Sequence, residues 1–266
     1  MKRNLFLILI IFFWGSSNLE ASCLSRFGDS ANHYIISDFV GIVKIQAVFD
    51  SPSKETNYYK IKIKPLTTFK GKAPSTLKVI GEKDVISIPN TDVDVGEEWL
   101  VYAFDDKDGN YYFGSCSSPM PRFLKGSDDS KRKNSERLQK ELDQLKLFKK
   151  EVSNLDRNYS IYIEGFSLFD YLKKYNGQIF DQSFAIYLIT FDKDLGVKNI
   201  EVLRGLSSEF DKRFTTVLKN KASWRTSIEP GRPKIEINTE NTRHIIGVYY
   251  FPEKKKLFPM IYTGYD

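Results

Sequence analysis

Histidine and cysteine are nearly missing from this chain of 266 residues, which has two of each. A zinc site takes three or four ligands, and His33, His244, Cys23 and Cys116 are scattered without ligand spacing. No metal or other cofactor is therefore expected. Gly-x-Ser-x-Gly, the turn that presents a hydrolase serine, does not occur. Gly71-Lys72 is no phosphate loop, because Leu66 stands where the earlier glycine belongs. Asp105, Asp106 and Asp108 beside Gly109 lack the Gly and Glu positions of a calcium loop and read as turn residues. A carboxylate pair for hydrolysis is assembled in space, so sequence leaves that chemistry open.

Charge of one sign is not concentrated either. The net charge is +6 and the pI about 9.0, yet Lys and Glu alternate along the chain. No stripe of basic residues with aromatics points to nucleic acid. Beyond the N-terminus, long apolar runs are lacking. The longest, residues 184–191, has the length of a strand and is interrupted by Thr190.

The N-terminus is different. Lys2 and Arg3 precede an unbroken apolar run over residues 5–14, and then small and polar residues up to Ala21, Ser22 and Cys23. That is the order of a cleavable secretion signal, with the cut after Ala21 or Ser22. The run is shorter than the roughly 20 residues that span a bilayer, so no transmembrane helix is expected in the mature chain. The expected location is periplasm, cell envelope or medium. An oxidising compartment permits Cys23 and Cys116 to pair. Such a bridge would close a loop of about 93 residues, worth about 4.7 kcal/mol in the chain-entropy model. Acylation of Cys23 is the alternative, and Glu20, three places before it, is not the Leu-like residue such a site uses.

Aromatic residues reach 14%, which favours strands. Residues 39–48 are β-rich, after a short helical turn over residues 33–37. Tyr59, Ile61 and Ile63 alternate with Lys60, Lys62 and Lys64, the period of a half-buried strand. Residues 77–80, 97–104 and 111–115 complete a set of five, the last two joined through an Asp106–Asn110 turn. Five strands at this spacing predict a small barrel or sandwich. Leu138, Leu142, Leu145, Phe148, Val152 and Leu155 then recur every three or four residues. They predict one apolar helix face, with Lys, Glu and Gln opposite, packed on the barrel or joining two domains. After it come a short helix over residues 165–175, strands at 184–191 and 197–203, a helix capped near Ser207, and a strand at 245–251. The order is that of an α+β domain. The expected division is 1–21 signal, 22–125 barrel, 126–155 linker with helix, 156–252 α+β domain and 253–266 tail.

Two resemblances follow from these residues. Residues 38–43, Phe69-Lys70-Gly71, Val95-Gly96-Glu97-Glu98-Trp99-Leu100-Val101 and Ser115-Cys116-Ser117 resemble the netrin-like or tissue-inhibitor-of-metalloproteinase-like family in its bacterial form. That resemblance implies a five-stranded OB-type barrel and a Cys23–Cys116 link. Animal inhibitors of that kind place a mature N-terminal Cys on the target zinc, which here requires cleavage after Ser22.

Phe191-Asp192-Lys193-Asp194-Leu195-Gly196-Val197, Ile200-Glu201-Val202-Leu203-Arg204-Gly205, Phe210-Asp211, Trp224 and Gly231-Arg232-Pro233 resemble the C-terminal domain of TonB-like proteins. The implied fold class is mainly β plus α+β: an OB-type barrel, a following helix, then a small TonB-like domain. The implied use is capture of a partner strand on a sheet edge. The candidate strand is Ile245, Ile246, Val248, Tyr249, Tyr250 and Phe251. The linker has almost no proline, so the long Pro-rich spacer of an energy transducer is missing. The expected function is a non-enzymatic exported protein that binds another protein. A metalloprotease-inhibitor-like protein and an envelope hydrolase are the alternatives.

Overall fold

The computed structural model describes residues 30–50, 57–81, 91–106, 108–114, 117, 119–123, 125–151, 160–227 and 238–259. The leader, Cys23, Cys116 and Gly231-Arg232-Pro233 lie outside them, and so does the proposed bridge.

Helix α1 (Ser30–Ile36) leads into strands β1 (Phe39–Phe49), β2 (Tyr58–Lys70), β3 (Thr76–Ile80), β4 (Glu98–Asp105) and β5 (Tyr111–Phe113). Their order, β1-β2-β3-β5-β4, closes on itself because β1 also pairs with β4, from Phe39↔Ala103 to Lys44↔Glu98. Only the β3–β5 pair is parallel. This is a closed five-stranded barrel, compatible with an OB-type fold. A two-residue strand β6 (Met120–Pro121) pairs antiparallel beside Trp99 and Leu100 of β4.

Alternation builds the barrel interior. Tyr59, Ile61 and Ile63 of β2 point in with Phe39, Val43 and Ile45 of β1 and Trp99, Val101 and Ala103 of β4, while Lys60, Lys62 and Lys64 face water. Two glycines are fixed by space. A Cβ on Gly41 would lie 2.7 Å from the Thr67 carbonyl, and Gly71 has φ +70° with its Cβ position 1.8 Å from the Asp38 carbonyl. The Val95–Val101 motif has a local reason as well. The Glu97 carboxylate accepts the Asp94 N–H at 3.0 Å and the Trp99 indole N–H at 2.9 Å.

On β1 and β4 the outward residues, Val40, Ile42, Leu100 and Tyr102, are buried too. Their cover is α1 and the 24-residue helix α2 (Asp128–Glu151). Asp128 and Asp129 in its first turn and Lys149 and Lys150 in its last suit the helix dipole. Leu138, Leu145 and Phe148 are buried as their spacing requires. Glu141 and Gln144, expected on the polar face, are buried as well. The reason is that α2 is covered from two sides, by the barrel and by the sheet that follows.

That sheet contains β8 (Phe184–Phe191), β9 (Val197–Arg204), β11 (Arg243–Phe251) and β12 (Lys256–Pro259) in the order β12-β11-β8-β9, all antiparallel. Its central strand β8 is a continuous apolar run with seven of eight residues buried, because both faces are covered. Phe184, Ile186 and Leu188 meet α1, α2 and the barrel wall. Ala185, Tyr187, Ile189 and Phe191 meet the short helix α3 (Leu168–Leu172) and helix α4 (Ser208–Asn220). Ser207 caps α4 by accepting the Phe210 N–H at 3.3 Å. Asp211 fixes α4 to the sheet, accepting the Tyr187 hydroxyl at 2.5 Å and the Leu206 N–H at 3.1 Å. A ribbon of β7 (Ser160–Glu164) and β10 (Ser223–Ser227) adds Ile161, Ile163 and Trp224 to the same core. Neither ribbon strand is in the sequence reading, and β12 falls in the segment assigned there to the tail.

Candidate functional site

The residues expected to capture a partner strand all belong to β11. Ile245 and Ile246 pair with Leu188 and Tyr187 of β8. Val248 and Tyr249 have strand neighbours on both sides, Ala185 and Phe184 of β8 and Pro259 and Phe258 of β12. Tyr250 and Phe251 pair with Leu257 and Lys256 of β12. The side chains of Ile245, Ile246, Val248 and Tyr250 are core. The ladder positions at the C-terminal half of β11 are therefore already filled from within the chain.

Among the described residues the sheet has two open edges, one formed by β12 and the Arg243–Gly247 half of β11, the other by β9. Of the described strands, β9 pairs only with β8. Lys198, Asn199, Glu201 and Val202 are exposed. An edge of this kind presents a row of free N–H and C=O groups. The alternating charges of Lys198, Glu201 and Arg204 are the usual protection against uncontrolled pairing.

The end of β9 is shaped by a bulge. Tyr187 pairs with Val202 but Ile186 pairs with Arg204, so Leu203 is the extra residue. Simple alternation would put Arg204 on the α4 face with Val202. The bulge turns it to the α2 face, where its guanidinium lies 4.1 Å from the centre of the Phe184 ring. One terminal nitrogen donates to Gln182 Oε1 at 2.6 Å, and Nε has no hydrogen-bond partner.

Arg204 forms one wall of an open cleft of about 680 Å³, together with Gln182, Leu203 and Gly205. The other wall is α2, through Asp143, Lys146, Leu147 and Lys150. These recur every three or four residues and so form one stripe of the helix. Lys146 meets Asp143 at 3.1 Å and Lys150 meets the half-buried Glu151 at 2.7 Å, both lysines being exposed. Pairs made by exposed lysines contribute little to stability and are readily exchanged.

The adjacent stripe of α2 fixes the cleft's width. Glu141 Oε2 is bonded to the Ser30 hydroxyl of α1 at 2.6 Å, and Oε1 accepts the Tyr102 hydroxyl of β4. Ser30 also meets the Tyr249 hydroxyl of β11 at 2.9 Å, and Tyr249 donates to Gln144 Oε1 at 3.0 Å. Barrel, both helices and sheet are thus tied through one buried polar cluster. It contains four hydroxyl contacts and three hydroxyl protons. The count closes when the Gln144 amide turns so that its otherwise unpartnered Nε2 donates to Tyr249, which frees the Tyr249 proton for Ser30 while Ser30 donates to Glu141. Burial raises the Glu141 pKa, the hydrogen bonds opposing it. Burial raises those of Tyr102 and Tyr249 in the same way. Beside the cluster, His33 packs 5.6 Å from the Tyr102 ring, and burial lowers its pKa to about 4.

Among the described residues no group of three or more His, Cys, Asp or Glu side chains is arranged to hold a metal ion. Asp106 is used by its turn and by Lys78, which lies 2.5 Å away and holds its pKa near 2. No described helix is long and apolar enough to cross a membrane. What the site offers is main-chain hydrogen bonding along β9 and a cationic cleft at its end. Sequence reasoning placed Arg204 in a motif but gave it no role, because the bulge that turns it is a property of pairing. No protein-family model matches this chain and no curated protein matches it, so the barrel topology and the site stand on their own geometry.

Proposed function

We propose that the chain is an exported, non-enzymatic binding protein that captures an extended segment of a protein partner on the free edge of β9. The observation that carries this reading is the contrast within one sheet: β8 is paired on both sides and almost wholly buried, whereas among the described residues β9 has a strand on one side only. Strand addition obtains affinity from ladder hydrogen bonds and selectivity from alternate side chains. The TonB-like resemblance of this half and the netrin-like resemblance of the barrel fit the same reading. In it, the barrel and α2 form the rigid support of the sheet. The leader and a Cys23–Cys116 bridge belong to the exported form.

A library of random octapeptides displayed on phage tests the edge. Selection on the intact protein is compared with selection on Glu201→Pro and Val202→Pro. Successive amides of a strand alternate between its two neighbours. One of these variants therefore removes an outward N–H without touching the β8 ladder, and it is identified by its unchanged melting temperature. Peptides enriched on the wild type and lost on that variant are the expected result. Enrichment that ignores the variant refutes capture on β9. Intact mass of the exported protein checks the rest: loss of residues 1–21 or 1–22, and two hydrogen atoms fewer when the cysteines are joined.

A further inference from the structure

The geometry points to an acidic partner: the segment added to β9 carries a carboxylate side chain at the end that reaches Arg204, seated between β9 and α2. This inference rests on strand capture at β9 and names the chemistry of what is captured. Arg204 is the feature that carries it. A free arginine side chain is flexible, and ordering it opposes binding. Here the guanidinium is already stacked on Phe184 at 4.1 Å and tied to Gln182 at 2.6 Å. Its plane is set before any ligand arrives. No carboxylate among the described residues forms an ion pair with it, and its Nε, buried against the sheet end, has no hydrogen-bond partner, so the terminal nitrogens are what it presents to the cleft.

The cleft supplies the field as well as the fork. Three cations line it, Arg204, Lys146 and Lys150, against one carboxylate, Asp143. Asp143 is already shared between Lys146 at 3.1 Å and the Gln139 amide at 2.9 Å. A guanidinium held in a plane matches the two oxygens of a carboxylate. The position matches too. Arg204 is the last residue of β9, so a strand lying along the edge passes its terminal side chain over the cleft. In an antiparallel arrangement, like every other pair of this sheet, that residue is near the N-terminal end of the added segment.

The peptides that depend on the β9 edge provide the test. Their sequences are read for charge, and representatives with Glu, Gln or Lys at the terminal position are titrated against wild type, Arg204→Gln and Lys146→Ala/Lys150→Ala by fluorescence anisotropy. The expected result is enrichment of Asp or Glu at one end, with Glu bound about tenfold tighter than Gln. That gap closes in Arg204→Gln and narrows about threefold in the lysine variant, whose exposed side chains leave the fold intact. Edge-dependent peptides without acid enrichment, or a Glu preference that survives both variants, overturn this inference while leaving strand capture standing. A library with no edge-dependent peptide removes both.

Discussion

In the barrel, β1 pairs with β2 on one side and with β4 on the other, and no strand of the closed set has an open flank along its full length. In the C-terminal sheet, four strands lie in the order β12-β11-β8-β9, and among the described residues the two end strands have one neighbour each. Both units bury their strands on two faces where they meet, through α1 and α2. They differ in what they do with main-chain hydrogen bonds. The barrel uses most of them internally, as closure requires, with only Lys64–Lys70 of β2 paired on one side alone, and its exposed Lys60, Lys62 and Lys64 solvate it. The sheet leaves a ladder incomplete, and places a bulge and an oriented Arg204 beside it. Closure makes a support; an open edge makes a binding surface.

The comparison breaks down first if the two units are not mechanically joined. Phe148 is fully buried in the layer between them and packs 5.4 Å from the Tyr34 ring. Phe148→Ala is expected to cost about 3–5 kcal/mol. Each unit has its own reporter, Trp99 in the barrel and Trp224 against the sheet. Single Trp→Phe variants separate their fluorescence during urea unfolding. The same loss should be seen by both probes. A shift seen by one alone would mean that barrel and sheet unfold independently.

The polar cluster in that layer gives two opposite pH dependences. His33 has its pKa lowered from 6.5 to about 4. Below pH 6.5 the unfolded chain takes up a proton that the folded chain refuses, so stability falls as pH drops and levels off below about pH 4. The full effect is on the order of 3 kcal/mol, and His33→Gln should abolish it. Glu141 acts the other way. Its pKa is raised above 4.5, so the folded state keeps a proton that the unfolded state loses, and stability falls as pH rises from 4.5. If burial keeps Glu141 protonated in the fold, Glu141→Gln keeps one acceptor and one donor in its place. It should therefore be nearly neutral at pH 4 and stabilising at pH 7. A cost of about 2 kcal/mol at both values would instead mean an ionised Glu141 that needs its charge.

Next in size is the helix that covers the other face of the sheet. Ser207→Ala removes the cap of α4 and should cost about 1 kcal/mol. The loss is expected in the Trp224 signal at low denaturant, ahead of Trp99, if α4 frays before the shared layer opens.

Much of this arrangement is legible in the amino-acid sequence, for physical reasons that differ by element. The alternation of Tyr59, Ile61 and Ile63 with lysines sets β2, because one face is wet. The apolar run of β8 and the three-to-four spacing on α2 are strong periodic signals. The ribbon strands β7 and β10 are five residues each, too short for a period to declare itself. Strand β12 hides in a segment of Lys and Pro because its partner, β11, decides it. Glu141 and Gln144 look like solvated helix positions until two units close over them. The site was the least legible part. An open edge is defined by which strand lacks a neighbour, and Arg204 owes its direction to one unpaired residue, Leu203.

The smallest expected effect tests the open edge itself. Val202 is 43% exposed on β9, on the face of the sheet away from the cleft. If no strand lies beyond β9 in the free protein, Val202→Lys loses little packing and adds a charge to a solvated edge. Substitutions at such positions change stability by about 0.5 kcal/mol or less. Both tryptophan signals should then keep their midpoints, and outward amides of β9 should exchange hydrogen much faster than those of β8. A loss near that of Ser207→Ala, with slow exchange along β9, would show that the edge is covered in the folded chain. The sheet would then be closed like the barrel, and the capture surface would have to be sought elsewhere.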